Sequence, residues 1–309
     1  MKGLKFLLAQ GLSLFVLGLA TLGLQAKDMS SLVSAEWLAK HIDDKNIVVI
    51  DSTVLVEMTK QGSLINKSGR ERYQQAHIPG AVFGDLKQAL AADHPTLENV
   101  MPTPRQFAEQ IGKLGVNNQS KVVIYSTDNH VWAARLWWMF RWAGHKQVAI
   151  LDGGLNAWKA KGYALSDKNV SPKPQTFDIA LEPQRVSSQQ AVKDAITDRQ
   201  VVIVDSLPLG HYQGQFSLFS RKGHIPTAVN LSSSDVLDDD GQYLAGDLIE
   251  LLVEADKSQP IITYCGGGVA ASGVAFALER AGFTSVSVYM GSLQEWTLDP
   301  NNPMVVDDQ

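Results

Sequence analysis

The sequence predicts an α/β protein of two tandem domains, each a parallel sheet with helices on both faces. Two observations carry this. A set of landmarks occurs twice in the same order, and within each set short β-branched runs alternate with stretches of helical spacing. A third fact is permissive: 309 residues hold two domains of ordinary size, at about 100–200 residues each.

The repeated landmarks are specific. Val48-Val49-Ile50-Asp51-Ser52 recurs as Val202-Ile203-Val204-Asp205-Ser206, and His77-Ile78-Pro79-Gly80-Ala81-Val82 as His224-Ile225-Pro226-Thr227-Ala228-Val229. Val122-Val123-Ile124-Tyr125-Ser126 recurs as Pro260 to Cys265, with Tyr125 matching Tyr264. Gly153 to Trp158 recurs as Gly291 to Trp296. The spacing between partners only shrinks along the chain, so loops shortened in the second copy while the order of elements held. Val201–Val204, Ile261–Tyr264 and Val286–Tyr289 read as buried parallel strands, apolar almost throughout. Between the last two, Val274, Ala277, Leu278 and Ala281 fall at helical spacing over Val269–Ala281. Strand, helix, strand in that order implies a parallel sheet.

The expected division is a signal peptide over 1–26, a first domain over 27–165, a linker over 166–190, a second domain over 191–300 and a tail over 301–309. The linker reading rests on Pro172, Pro174 and Pro183 in a stretch without periodicity. At the N-terminus Lys2 and Lys5 precede an apolar run from Phe6 to Leu24. Leu24-Gln25-Ala26 then offers a small-residue cleavage signal before Lys27-Asp28. This order is that of a secretory signal peptide, so the expected location is periplasmic or secreted. The alternative is an uncleaved anchor, because the apolar run is about long enough to span a bilayer. After cleavage no membrane association is expected.

Composition narrows the function. Hydrophobic residues make up 45% and charged residues 19%, the mixture of an ordinary globular protein. The net charge is −5 and no basic run stands out, which argues against a nucleic-acid partner. The histidines are scattered and there is one cysteine, so no zinc-ligand spacing exists and no metal or cofactor is expected. A monomer is expected.

That cysteine, Cys265, cannot form an intramolecular disulfide; an exported chain either buries such a thiol inertly or uses it. Its surroundings favour use. An apolar strand ends at Tyr264, then come Cys265, Gly266, Gly267 and Gly268, and a helix follows. Strand ends facing helix starts are where open α/β sheets place ligands. Glycines let successive N–H groups turn toward the sulfur, and the helix N-terminus adds partial positive charge. Together they favour an anionic sulfur, the reactive form.

These motifs resemble the two-domain rhodanese sulfurtransferases over nearly the whole chain, from about Leu32 to Trp296. The second copy carries Asp205-Ser206, Gly223-His224-Ile225-Pro226, Tyr264-Cys265 with its glycine loop, and Gly291-Ser292 with Glu295-Trp296. The first carries His77 to Ala81, Arg135-Leu136-Trp137-Trp138 and Leu151 to Gly154. The resemblance implies two tandem rhodanese-like domains and a Cys265 persulfide loaded from thiosulfate or 3-mercaptopyruvate and unloaded to a thiol or cyanide. It implies a persulfide cradle formed by Gly266, Gly267, Gly268, Val269 and Ala270. Ser126 stands at the cysteine's place in the first copy, so that domain is expected to be catalytically silent.

Two departures bear on the donor. The loop is neutral, with Gly267 and Ala270 where mercaptopyruvate-preferring relatives carry hydroxyl residues, and Leu207 stands where the family usually has a donor-binding arginine. Arg221 and Arg135 are the candidate substitutes; the competing reading of each is an ordinary surface or interdomain ion pair. His77 and His224 sit in the same repeated context, which favours a structural role. Trp132, Trp137, Trp138 and Trp142 read as core or domain interface. A cysteine phosphatase would need an arginine at the position of Ala271. The remaining alternative is a rhodanese module that binds sulfur or senses redox state without turnover.

Overall fold

The computed structural model describes residues 29–58 and 64–307. The expected signal peptide lies outside them. Among the described residues no helix is long and apolar enough to cross a membrane.

The first half contains strands β1 (Leu32–Val33), β2 (Ile47–Asp51), β3 (Val54–Met58), β4 (Leu64–Ser68), β5 (Val82–Phe83), β6 (Lys121–Tyr125) and β7 (Val148–Leu151). Its helices are α1 (Ala35–His41), α2 (Arg70–Gln75), α3 (Pro104–Lys113), α4 (Val131–Trp142) and α5 (Gly154–Ala160). The second half contains β8 (Val186–Ser187), β9 (Val202–Asp205), β10 (Val229–Asn230), β11 (Ile261–Tyr264) and β12 (Val286–Tyr289). Its helices are α6 (Gln189–Thr197), α7 (Leu209–Tyr212), α8 (Gly246–Glu250), α9 (Val269–Arg280) and α10 (Ser292–Trp296).

Two parallel sheets result, ordered β1-β7-β6-β2-β5 and β8-β12-β11-β9-β10. Replacing each strand of the first by its repeat gives the second, so the duplication extends to topology. β3 and β4 form a separate antiparallel pair, which among the described residues has no equivalent in the second half. The central strands are apolar because helices cover both faces: Val122 to Tyr125 and Ile261 to Tyr264 are all buried. The chain leaves β9 for one edge and β11 for the other. Sheets of this kind open a crevice at the carboxyl ends of such neighbouring strands.

The repeated tyrosines and histidines hold equivalent turns. Ile78 N–H donates to Tyr125 Oη at 3.1 Å, and Ile225 N–H to Tyr264 Oη at 3.0 Å. His77 stacks on Tyr73 and His224 on Tyr212, each with Nδ1 within hydrogen-bond distance of that tyrosine's carbonyl. These are the structural duties that the duplicated context suggested.

The expected linker differs from the structure at its end. Residues 166–182 are extended, but β8 pairs with β12 and α6 begins at Gln189, so the second sheet starts before residue 191. The extended stretch also adheres to the first domain. Ser166 pairs with His77, Gln175 N–H donates to Gly112 O at 2.9 Å, and Phe177 is buried. A Cβ on Gly112 would lie 2.4 Å from Gln175 O, which explains glycine there. The tail is likewise pinned, with Val305 pairing with His224 and Pro303 O accepting from Trp296 Nε1 at 3.0 Å.

The two halves meet through α4 and α9, which share one apolar core. Both helices are apolar nearly all round, because each lies between its own sheet and the other helix. Trp137 meets Phe276 edge-on at 4.8 Å, while the Trp137 and Trp138 indoles donate to Val148 O and Arg185 O. The tryptophan cluster is therefore core and interface.

Candidate active site

Cys265 follows the last residue of β11 and is 2% exposed. Gly268 caps α9 with φ 75°, a left-handed conformation open mainly to glycine. Gly268 and Val269 are buried, whereas Gly266, Gly267 and Ala270 are partly exposed. All five predicted cradle residues thus lie in one turn between Cys265 and the first turn of α9.

The distinctive feature of this turn is what its amides do not do. Among the described residues, no acceptor takes the N–H groups of Gly266 to Ala270. Five consecutive donors and the positive end of a 12-residue helix lie beside the thiol. A run of free backbone amides at a helix start can take an anion.

The other side of the turn is fixed. Cys265 N–H donates to Ser292 Oγ at 3.1 Å, and Ser292 Oγ donates to Tyr289 O at 2.7 Å. Cys265 O and Gly266 O accept from Leu293 and Gln294 N–H at the start of α10. Ser292 is buried with φ 51°, a left-handed conformation uncommon outside glycine. Phe219 lies against Gly266: a Cβ there would meet its ring at 2.7 Å. The first domain closes the remaining side. Gln294 exchanges two hydrogen bonds of 2.9 Å with the backbone of Glu98. Ser292 and Gln294 lay inside a repeated landmark but had no assigned role; Phe219 left no signal in the sequence.

The two candidate arginines separate. Arg135, on α4, is 2% exposed and reaches the turn itself, with Nη1 donating to Gly268 O at 3.2 Å and contacting Met290 Sδ. Its Nη2 donates to Asn99 O at 2.7 Å. Burial lowers its pKa to about 10, with the opposing pull coming from Cys265. It therefore stays charged at neutral pH. Arg221 is held elsewhere. Its Nη1 donates to the carbonyls of Asp299 and Asn302 at 3.2 and 2.6 Å, so its guanidinium fastens the C-terminal segment. Neither arginine is in an ordinary ion pair: among the described residues no carboxylate lies within 4.0 Å of either.

The first-domain counterpart is closed. Ser126 Oγ donates to Asn129 O at 2.6 Å. The amides of Thr127, Asn129 and Val131 are all taken, by Thr53 Oγ1, Thr127 O and Asn129 Oδ1. A cavity of about 100 Å3 lies here, lined in part by Ser126, His130 and Tyr243. Burial lowers the His130 pKa to about 4, leaving its imidazole neutral.

Leu207 lies just beyond the end of β9, and its N–H donates to Asp205 Oδ1 at 2.9 Å. Asp205 is buried, and desolvation raises its carboxyl to about 6.

Comparison with known proteins matches this architecture. The family model described as a rhodanese-like domain fits twice, over residues 34–161 and 188–299. Human 3-mercaptopyruvate sulfurtransferase is 32% identical over 278 residues, covering 86% of this chain and 91% of that protein. The Escherichia coli (strain K12) 3-mercaptopyruvate sulfurtransferase is 33% identical over 272 residues, covering 85% and 94%. A thiosulfate sulfurtransferase of Cricetulus griseus is 31% identical over 279 residues, covering 86% and 91%. The crystal structure of SseA from Escherichia coli superimposes with a TM-score of 0.76 at 31% identity, covering 85% of this chain and 99% of that one.

Proposed function

Because the chain belongs to the rhodanese family, we propose that it moves a sulfane sulfur from thiosulfate or 3-mercaptopyruvate to a thiol or cyanide acceptor through a persulfide on Cys265. It is an enzyme of the sulfurtransferase class. The observation supporting the persulfide is the run of unpartnered N–H groups from Gly266 to Ala270 around the cysteine, a nest suited to anionic sulfur.

The chemistry balances without a cofactor. With thiosulfate, the Cys265 thiolate attacks the outer sulfur, the S–S bond breaks and sulfite leaves with its electron pair. With 3-mercaptopyruvate, the thiolate attacks the thiol sulfur, the C–S bond breaks and the enolate of pyruvate leaves and takes up a proton. The acceptor thiolate or cyanide then attacks the outer sulfur of the persulfide and frees the Cys265 thiolate. This is two-step covalent catalysis.

In this reading the first domain holds no reactive sulfur, and the N-terminal 26 residues direct export. The test is intact mass after incubation with each donor. A gain of one sulfur that cyanide removes is the expected result. No gain from either donor, or the same gain in Cys265→Ser, contradicts the mechanism.

A further inference from the structure

The helices α4 and α9 are equivalent parts of the two repeats. Each has 12 residues and each is followed by Ala-Gly, so Arg135 occupies the position of Gly273. The equivalence extends across the interface. Arg135 meets Gly268, the residue that caps α9, and Gly273 meets His130, the residue that caps α4. A Cβ on Gly273 would lie 3.2 Å from His130 Nε2. The contact is reciprocal in position and opposite in chemistry. One direction carries a guanidinium to the turn that holds the thiol; the other leaves room for a neutral imidazole at the turn that holds Ser126.

A buried guanidinium without an anion is costly. Arg135 donates to two carbonyls and contacts a thioether, none of them charged. Among the described residues, Cys265 is the one ionisable group whose charge acts on it. The ionisable groups on neighbouring elements are otherwise engaged or lie beside other partners. Lys87 pairs with Glu98 on the loop over the turn, Asp205 accepts from Leu207 on β9, Tyr264 accepts from Ile225, and Glu295 on α10 acts on Tyr289.

We propose that Arg135 is a positioning residue for sulfur transfer, lent by the first domain, whose fixed charge holds the sulfur of Cys265 anionic and whose hydrogen bond to Gly268 O fixes the cradle. This rests on Cys265 being the persulfide carrier. It differs from donor binding, since the guanidinium is enclosed behind the turn rather than offered to solvent. It also gives the first domain a part in the chemistry although it has no thiol.

The test separates charge from hydrogen bonding in the full chain. Arg135→Gln keeps an amide donor without charge, and Arg135→Lys keeps charge without the fork. Each is checked for folding by circular dichroism, and Cys265 alkylation by iodoacetamide is followed against pH. The expected result is a midpoint moved up by about 1 unit or more in Arg135→Gln, the scale on which a neighbouring opposite charge acts, and near wild type in Arg135→Lys. A wild-type profile in folded Arg135→Gln overturns the proposal. So does a shifted profile in folded Arg135→Lys, which keeps the question decidable if the glutamine variant does not fold. Failure of the underlying reading looks different: wild type would then gain no sulfur from any donor, whereas here sulfur loading persists and only the profile stays put.

Discussion

Ser126 and Cys265 directly follow equivalent central strands, yet the Ser126 hydroxyl is turned onto its own loop, donating to Asn129 O at 2.6 Å, while among the described residues no acceptor takes the five amides after Cys265. The difference between the domains is thus more than one side chain. Placing a thiol in the first domain should not create a second sulfur site. In Ser126→Cys the expected gain from a donor is still one sulfur per chain by intact mass. Cys265→Ser is expected to lose turnover by at least ~10^3-fold, the scale on which nucleophile deletions act. A doubly loaded Ser126→Cys protein would refute the view that the amide nest is required.

Gly268 combines a positive φ with close contact to the first domain. A Cβ there would lie 2.9 Å from Arg135 Nη1 and from Met290 Cα and O. Gly268→Ala should cost about 1–3 kcal/mol in urea unfolding, from backbone strain and displaced neighbours, and slow sulfur loading. In Gly266→Ala the nearest atoms to the added Cβ belong to the far end of the Phe219 ring rather than to backbone, and the φ of Gly266 is not left-handed. The stability loss of this variant should be the smaller of the two. The reverse order would show that the Phe219 contact is the tighter constraint.

Asp205 gives the fold a pH dependence of definite sign. Burial raises its carboxyl from an ordinary 3.8 to about 6. The folded protein therefore keeps a proton that the unfolded chain has already released. Its contribution to stability falls as pH rises from about 4 to about 6 and is level above. Asp205→Asn removes the titration. The stability of that variant relative to wild type should grow by about 2–3 kcal/mol across this window. Urea unfolding at a series of pH values reads this directly, and a flat difference would contradict it.

Arg221 was a candidate for binding an anionic donor, and its geometry assigns it to the C-terminal segment. Arg221→Ala should leave the rate of sulfur transfer within about twofold of wild type. It should lower stability by about 1–2 kcal/mol, because two hydrogen bonds from a charged donor are lost. Parallel rate and unfolding measurements separate the outcomes; a large rise in KM with unchanged stability would return Arg221 to the donor.

Much of the fold could be read from residue order, because a duplication writes the same message twice. The paired Asp-Ser, His-Ile-Pro and Tyr-Ser or Tyr-Cys landmarks fall on equivalent strands and turns, and the Gly-rich turn falls between β11 and α9. The readable parts are local: strand, turn and helix start depend on neighbours in sequence. Arg221 could not be read, since its acceptors are backbone carbonyls about eighty residues away and every residue has one. The end of the linker was missed because β8 has two residues and its pairing with β12 comes from the sheet rather than local preference. Arg135 lay between these cases. It was named as a candidate cation from the first copy, but the group it meets depended on α4 packing on α9.

That packing has a consequence for the chain as an assembly. Equivalent helices face one another across an approximate twofold relation, which is how two copies of one protein meet in a symmetric dimer. Here the copies are joined by a peptide, and one holds the thiol while the other places a guanidinium against the turn beside it. A two-chain enzyme with this division of labour would lose its partner on dilution. Joining the copies fixes their ratio at one to one and makes the composite centre independent of protein concentration.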